Sequence, residues 1–193
     1  MFGSDYNGCL GISEEEFETL NQLNDKDLID DHRNVFKPIP VPFFYNQSIK
    51  VLKVSCGDSH VVCLTENNEV YTWGNGEYGR LGILLGANFI IFNTLSTNTF
   101  RLKGHGDEND INVPKKLEFR LKYTFKDVFA GLDCTFLVTN KGKVLAFGHN
   151  EYNKLGLNYA AVGVKKKDNA HNFKARKINS FCFLLLLTLN LFR

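Results

Sequence analysis

The chain has 193 residues, of which 44% are hydrophobic and 23% are charged, a composition typical of a globular domain rather than of a disordered segment. Lysine and arginine number 23 against 21 acidic residues, and a net charge of +2 gives no electrostatic argument for nucleic acid or an anionic membrane as a partner. The five cysteines include no C-x-x-C pair, which argues against a disulfide framework or a zinc site and favours a reducing compartment.

The N-terminal segment begins with FGSDYNGCLG at residues 2–11 and has neither the basic nor the apolar region of a signal peptide. We therefore expect a cytoplasmic location, with a nuclear location as the alternative. A polar extension follows at residues 14–34, where Phe17, Leu20 and Leu23 have the spacing of an amphipathic helix. This pattern predicts either a short surface helix or a solvated loop.

An internal repeat occupies the middle of the chain. Residues 54–74, VSCGDSHVVCLTENNEVYTWG, align without a gap with residues 128–148, VFAGLDCTFLVTNKGKVLAFG. Each copy predicts two short strands that are separated by a polar turn. WGNGEYGRLG at residues 73–82 and FGHNEYNKLG at residues 147–156 follow, and both are similar to the FGSDYNGCLG of the N-terminus. Strands and turns that repeat without helices indicate propeller blades or a β-solenoid.

Gly74, Gly76 and Gly79 have the G-x-G-x-x-G spacing of a dinucleotide-binding turn. In the two similar stretches, aspartate or asparagine stands at the position of Gly76, and glycine or asparagine at the position of Gly79. These residue types tolerate positive φ, which a tight turn needs, whereas a pyrophosphate cradle needs glycine itself. No helical pattern follows Gly82, so the sequence predicts turns, and we expect no nucleotide or other cofactor.

The pattern V-x-C-G-x-x-H … V-Y-T-W-G-x-G-x-x-G-R-L-G resembles the repeat of the regulator of chromosome condensation family, a seven-bladed propeller. The resemblance covers residues 2–11 and 51–157. It implies an all-β fold over residues 1–158, a partial β-propeller of about two to three blades with an irregular inserted loop. Within the family, residues 2–11 and 143–158 look most like the propeller of a NIMA-related kinase of the ninth type.

This resemblance implies a non-catalytic module that binds protein partners through its propeller loops. It is expected to be a fragment of a regulatory propeller that, in the kinase, restrains an adjoining kinase domain. The alternative is a guanine-nucleotide exchange factor for a small GTPase, as in the founding member of the family. A ubiquitin ligase attached to such repeats is a third interpretation. The expected partners are proteins, a kinase domain or a small GTPase, with no nucleic acid and no membrane.

Two segments depart from the repeat. Removing residues 83–104 restores GRLGHGDENDINVPKK and shortens the interval from Gly74 to Gly148 from 74 residues to 52. We interpret these 22 residues as an inserted loop or a translated intron, with an apolar loop for a partner as the alternative. Residues 159–193 are predicted to form an atypical tail, basic at first and then apolar over residues 181–192, a run too short to span a membrane.

Little in the sequence indicates catalysis or metal binding. His60 stands at the histidine position of the family repeat beside Asp58 and Ser59, but neighbours within one turn rarely form a catalytic triad, so we expect a structural hydrogen bond. The acidic run HGDENDIN lacks the glycine and the terminal glutamate of a calcium loop. No H-R-D, D-F-G or V-A-I-K kinase motif is present, and we expect no enzymatic activity. The expected structural signature comprises Gly57, His60, Trp73, Gly74, Gly76, Gly79, Leu81, Gly82, Gly131, Gly148, Asn150, Leu155 and Gly156.

Overall fold

The computed structural model describes residues 1–23, 27–30, 32–82, 109–119, 122–149 and 155 in full, and the backbone of residues 102–103 and 172–178. Most of the described strands lie in two four-stranded antiparallel sheets. The strands are β1 (Gly3–Ser4), β2 (Asn34–Val35), β3 (Val51–Cys56), β4 (His60–Thr65), β5 (Val70–Gly74), β6 (Leu102–Lys103), β7 (Ile111–Lys116), β8 (Glu118–Phe119), β9 (Phe125–Ala130), β10 (Cys134–Thr139), β11 (Val144–Gly148) and β12 (Asn172–Ile178).

The N-terminal region pairs β1 with β2 and adds two short helices, α1 (Glu14–Gln22) and α2 (Pro42–Asn46). A capping box starts α1: the Glu16 N–H donates to Ser13 Oγ at 3.2 Å, and the Ser13 N–H donates to Glu16 Oε2 at 2.8 Å. Phe17 is the buried residue of α1 and packs in an apolar cluster with Leu10, Ile12, Ile29 and Val35. Of the two sequence-based alternatives for this extension, the helix is therefore confirmed.

The first sheet has the strand order β3-β4-β5-β7. All six residues of β4 are buried, because this central strand is covered on both faces. The turn between β4 and β5 is closed by Thr65, whose hydroxyl accepts a hydrogen bond from the Glu69 N–H at 3.2 Å. The β-branched residues Val61 and Val62 of β4 and Val70 of β5 are buried, in keeping with the preference of such residues for the pleated surface of a sheet.

The second sheet has the order β9-β10-β11-β12 and repeats the first after 74 positions. Its turn is closed in the same way, since the Lys143 N–H donates to the Thr139 hydroxyl at 3.0 Å. The fourth strand, β12, pairs with β11 and lies beyond residue 158, in the segment for which the sequence predicts a tail. The repeat comparison did not predict this strand.

The main core lies between the two sheets, where side chains from alternate positions of facing strands meet. The first sheet contributes Val62, Leu64 and Val70 to this core, and the second contributes residues of β9, β10 and β11. The cluster as a whole contains Val62, Leu64, Val70, Leu117, Phe125, Val128, Leu137, Leu145 and Phe147. Face-to-face packing of consecutive four-stranded antiparallel sheets is the arrangement of neighbouring propeller blades, so the expected all-β, partial-propeller fold is confirmed.

Several sequence-based predictions fall outside the described residues. Of the expected insertion at residues 83–104, only Leu102–Lys103 is described, as β6, which pairs with β8. The apolar run at residues 181–192, Asn150 and Gly156 are likewise outside the described part of the chain. Within that part, no helix is long and apolar enough to cross a membrane.

Candidate functional site

The turn that follows β5 has the same geometry as the turn that follows β1. Gly79 and Gly82 have φ of 71° and 84°, and the corresponding Gly8 and Gly11 have φ of 72° and 71°. A side chain is strained at such a φ, which explains why glycine recurs at these positions. Both pairs of glycines therefore lie in turns whose backbone has positive φ.

Gly76 does not form an anion-binding cradle. Its φ is −93°, and its N–H already donates to the Asp110 carboxylate Oδ1 at 3.0 Å. The helical segment that follows, Glu77–Gly79, is a single 3₁₀ turn of three residues, too short to point a set of free N–H groups at a phosphate. The described residues in this stretch therefore provide a turn and no nucleotide site.

Two signature glycines mark places where the backbones of neighbouring strands come close together. A Cβ on Gly74 would lie 2.6 Å from the carbonyl oxygen of Ser59, and a Cβ on Gly148 would lie 2.4 Å from that of Asp133. Both glycines have positive φ, 104° and 115° respectively. Residue type is fixed here by space and by backbone conformation together.

His60 joins the two sheets. Its imidazole is 1% exposed, and its Nε2 lies 2.9 Å from Thr135 Oγ1. The Thr135 hydroxyl donates to the carbonyl oxygen of Arg80 at 2.8 Å, so it must accept the hydrogen bond from His60, which assigns the proton of the neutral ring to Nε2. Burial, and then the positive charge of Arg80, lower the pKa of His60 to about 4, so the ring is neutral at pH 7.

The three neighbours Asp58, Ser59 and His60 do not form a catalytic triad. Asp58 is exposed, and the Ser59 hydroxyl accepts a hydrogen bond from Arg80 Nη1 at 2.8 Å instead of facing the imidazole. A triad needs the histidine to contact both the nucleophile and the carboxylate. The partner of His60 is Thr135, 75 positions along the chain, and the arrangement is structural.

Arg80 organises a second contact between the sheets, near the loop surface. Its side chain is almost fully buried, and its guanidinium lies 5.4 Å from the centre of the Tyr78 ring. Tyr78 in turn stacks on His149 of the second repeat, with ring centres 4.3 Å apart and planes 20° apart. His149 Nδ1 is 3.0 Å from Asp133 Oδ2. Arg80 belongs to the G-R-L-G motif at residues 79–82, but the motif alone did not predict a role for its side chain.

An apolar groove opens on the opposite face of the first sheet. Its volume is about 510 Å³, and we call it the N-terminal groove because residues from the N-terminal region form much of its lining. Trp73, a signature residue, is buried beside it, and its indole N–H donates to the carbonyl oxygen of Cys9 at 3.0 Å. The lining comprises Met1, Ile39, Pro40, Val41, Phe44, Tyr45, Ser48, Ile49, Val51, Val54, Cys63 and Trp73.

The remaining signature residues that the structure describes are buried or make hydrogen bonds to neighbouring backbone. Leu81 is buried, and its carbonyl oxygen accepts a hydrogen bond from the Thr72 hydroxyl at 2.9 Å. The N–H groups of Gly57 and Gly131 close equivalent turns, donating to the carbonyl oxygens of His60 and Cys134 at 2.8 Å each. Leu155 is buried against the outer face of the second sheet. Among the described residues, no group of three or more side chains is placed to hold a metal ion.

Known proteins share this combination of repeat and fold. The regulator of chromosome condensation (RCC1) repeat matches residues 1–64, and a second form of the same repeat matches residues 51–80. The chain belongs to the RCC1 repeat family. The expectation drawn from the V-x-C-G-x-x-H and G-R-L-G motifs is thereby confirmed.

Within the RCC1 repeat family, the chain is similar to serine/threonine-protein kinase Nek9. It is 37% identical to Nek9 of Xenopus laevis over 163 residues, 84% of this chain, and 36% identical to Nek9 of Mus musculus over 170 residues, 88% of this chain. The chain spans only 13% of the length of either relative. The matched region is the RCC1 repeat region and not a kinase domain.

Among solved structures, the chain is similar to Prp20p, the RCC1 protein of Saccharomyces cerevisiae. The two share 19% sequence identity and superpose with a TM-score of 0.55, over 92% of this chain and 33% of Prp20p. At this level of identity the similarity establishes the fold alone, and that fold is the RCC1 propeller.

Proposed function

We propose that this chain is a non-catalytic protein-interaction module, the regulatory propeller region of a NIMA-related kinase. The observation that carries the proposal is the identity of 36–37% to Nek9 over 84–88% of the chain, in a region of RCC1 repeats. The His60–Thr135 and Tyr78–His149 contacts support a rigid scaffolding role, because they fix the position of one sheet relative to the other.

The loop surface provides the partner-binding face in this proposal. The turn at Asp58 contacts the turn at Leu132 through a backbone hydrogen bond of 3.4 Å, and the Asn75 N–H donates to the carbonyl oxygen of Ser59 at 2.7 Å, so these turns lie at one end of the two sheets. Exposed apolar and aromatic side chains at turns, such as Leu132 and Tyr6, suit protein contacts. The proposed partner is the kinase domain of the same kinase.

The test uses the purified chain and the separate kinase domain of Xenopus Nek9. We expect the chain to bind the kinase domain and to slow phosphorylation of a peptide substrate several-fold. Leu132→Asp should weaken this effect, because it places a charge in the proposed contact surface. Leu23→Asp, an equally exposed leucine at the end of α1, is the matched control and should leave the effect unchanged. Absence of binding to the kinase domain would reject the proposal.

Guanine-nucleotide exchange is the second candidate function, because the fold is shared with Prp20p, whose binding properties to Gsp1p were examined together with its structure. A nucleotide-release assay on Gsp1p separates the two candidates, with Prp20p as the positive control. Under the kinase proposal this chain leaves the release rate at its spontaneous value. Acceleration comparable with that of Prp20p would favour the exchange factor instead.

A further inference from the structure

Two Asn-Gly dipeptides occur in the chain, Asn7–Gly8 and Asn75–Gly76, and both lie in turns at the ends of strands. Asparagine followed by glycine is especially prone to deamidation, because glycine has no side chain to hinder attack of its backbone nitrogen on the asparagine carboxamide. The local sequence therefore makes both dipeptides reactive. The groups that the fold places around them differ, and this difference bears directly on the reaction.

The side chain of Asn75 is held in a reactive arrangement. Its Oδ1 accepts a hydrogen bond from the Glu77 N–H at 2.9 Å. This contact, from a side-chain oxygen to the N–H two residues on, is an Asx turn, and it folds the carboxamide back towards the peptide bond between Asn75 and Gly76. Attack on the carboxamide carbon gives Oδ1 a negative charge. A backbone N–H at this distance is placed to stabilise such an oxyanion.

Asp110 supplies a base for the same reaction. The attacking atom is the backbone nitrogen of Gly76, and its N–H donates to Asp110 Oδ1 at 3.0 Å. An amide nitrogen becomes a nucleophile when its proton is removed, and a carboxylate within hydrogen-bond reach of that proton is placed to act as a general base. Asp110 belongs to the acidic run HGDENDIN, which does not match a calcium loop.

The other dipeptide, Asn7–Gly8, has no such base. The Gly8 N–H donates to the backbone carbonyl oxygen of Asp5 at 3.0 Å, and this neutral oxygen is a far weaker proton acceptor than a carboxylate. Asn112 packs closely against Gly8, since a Cβ on this glycine would lie 2.6 Å from the Asn112 Cα. Asn7–Gly8 therefore provides an internal control with the same two residue types in a different environment.

We propose that Asn75–Gly76 is a self-modifying site, at which the folded chain deamidates its own asparagine with Asp110 as the general base. Asp110 takes the proton from the Gly76 nitrogen while that nitrogen forms a bond to Cγ of Asn75. The bond from Cγ to the carboxamide nitrogen then breaks, Asp110 returns the proton to the leaving group, and ammonia departs from a cyclic succinimide. Water opens the ring at either carbonyl, which leaves aspartate or isoaspartate at position 75.

The reaction alters the loop end of the molecule without any partner or cofactor. The Asn75 N–H donates to the carbonyl oxygen of Ser59 at 2.7 Å and so joins the turn after β5 to the turn that precedes the buried His60. Isoaspartate lengthens the main chain by one methylene group, which displaces the hydrogen bonds around position 75. Both products also place a new negative charge beside Asp110. The proposal is independent of any relation to a kinase.

The test follows the two dipeptides in one sample of the full chain, incubated in near-neutral buffer. Trypsin releases position 75 within residues 54–80 and position 7 within residues 1–26, so fragment mass spectra assign each product to its residue. Methylation by a protein-isoaspartate methyltransferase detects the isoaspartate product. We expect position 75 to react at least about tenfold faster than position 7 in the folded chain. In urea, which removes the fold, the two rates should be similar.

Two matched variants test the base. Asp110→Asn retains an oxygen that can accept from the Gly76 N–H but cannot take up its proton, and it should slow deamidation at position 75 by at least about tenfold. The rate at position 7 should not change in this variant. Asp58→Asn makes the same replacement at another exposed aspartate of the loop end and should leave both rates unchanged. Circular dichroism checks that both variants fold.

The proposal fails if Asp110→Asn deamidates at position 75 as fast as the wild type or faster, since the hydrogen bond would then protect the amide rather than activate it. Equal rates at the two positions in the folded chain, or no product at position 75, would also reject it. So would a preference for position 75 that persists in urea, because the local sequence would then account for the reaction.

Discussion

His60 and Thr135 connect the two sheets through a buried hydrogen bond of 2.9 Å between the imidazole Nε2 and the hydroxyl Oγ1. The Thr135 hydroxyl donates its own hydrogen bond to the carbonyl oxygen of Arg80, so three groups from two repeats form one chain of hydrogen bonds. His60 Nδ1 is buried without a hydrogen-bond partner. A second proton on this ring would be held at a buried nitrogen without a hydrogen-bond partner and would lie close to the positive Arg80.

The stability of the chain should consequently fall in mild acid. Burial, followed by the charge of Arg80, lowers the pKa of His60 from 6.5 to about 4 in the folded chain, although Asp133 and the backbone of Cys134 oppose the shift. Above pH 6.5, His60 is neutral in both the folded and the unfolded chain. Between pH 6.5 and about 4, His60 is protonated in the unfolded chain but stays neutral in the folded chain. The free energy of unfolding should drop by about 3 kcal/mol across this window.

Urea unfolding at a series of pH values measures this contribution, and His60→Gln should remove it from the pH profile. The exposed His32 provides the control, because His32→Gln leaves the buried ring in place and should keep the wild-type slope. If His60→Gln has the same slope as the wild type between pH 6.5 and 4, the buried imidazole does not govern the acid sensitivity.

Thr135→Val should destabilise the chain by about 2 kcal/mol, because the change preserves the shape but leaves His60 Nε2–H and the carbonyl oxygen of Arg80 without a partner. Thr19→Val is the matched control, since the Thr19 hydroxyl donates to the carbonyl oxygen of Glu15 on the exposed side of α1. Its effect should stay within about 0.5 kcal/mol. Denaturant unfolding at pH 7.5 compares the two. Equal effects would show that the buried network contributes little.

The sequence alone was sufficient to predict the repeated elements, because repetition reveals which residues the backbone requires. Gly74 and Gly148 recur since both need positive φ and a close approach to a neighbouring strand. His60 was expected to make a structural hydrogen bond, but its partner was not predictable. Thr135 aligns with Val61 of the first repeat, so the repeat comparison gives it no distinguishing signal.

Two further features were beyond the reach of sequence patterns. β12 lies in a basic stretch, and it is recognisable as a strand only through its pairing with β11. The N-terminal groove is a consequence of which faces are covered in the folded chain, and Val51 and Val54 look like ordinary strand residues in the sequence. Covered and open faces are properties of the tertiary arrangement, which local periodicity does not contain.

Alanine at Gly74 should be far more destabilising than alanine at Gly3, although both glycines have φ above 100°. Gly3→Ala adds only backbone strain, because nothing lies within 4 Å of the new Cβ, and we expect a loss of about 1 kcal/mol. Gly74→Ala adds an approach of 2.6 Å to the carbonyl oxygen of Ser59 and should cost at least about 2 kcal/mol more. Thermal unfolding of the two variants measures the difference. Equal losses would mean that space at Gly74 is not limiting.

Arg33→Ala should destabilise the N-terminal region by about 2 kcal/mol, because it leaves the Asp5 carboxylate buried without its charged partner. The Asp5 side chain is 1% exposed, and its Oδ2 accepts from Arg33 Nε at 2.9 Å and Nη2 at 2.5 Å. The guanidinium also lies 4.2 Å from the centre of the Phe17 ring, so its loss loosens α1.

Lys50→Ala is the control for Arg33→Ala, since Lys50 and Glu66 form a solvent-exposed ion pair of 3.3 Å, and exposed pairs contribute about 0–1 kcal/mol. Hydrogen exchange of the α1 amides, together with urea unfolding, should show faster exchange in Arg33→Ala and no change in Lys50→Ala. The two ion pairs should differ in their contribution to stability because the Asp5 carboxylate is buried, whereas the Glu66 carboxylate is exposed. Burial removes the water that would otherwise solvate an unpaired charge. Similar small effects for both variants would show that Asp5 regains water when Arg33 is removed, and the buried-pair explanation would fail.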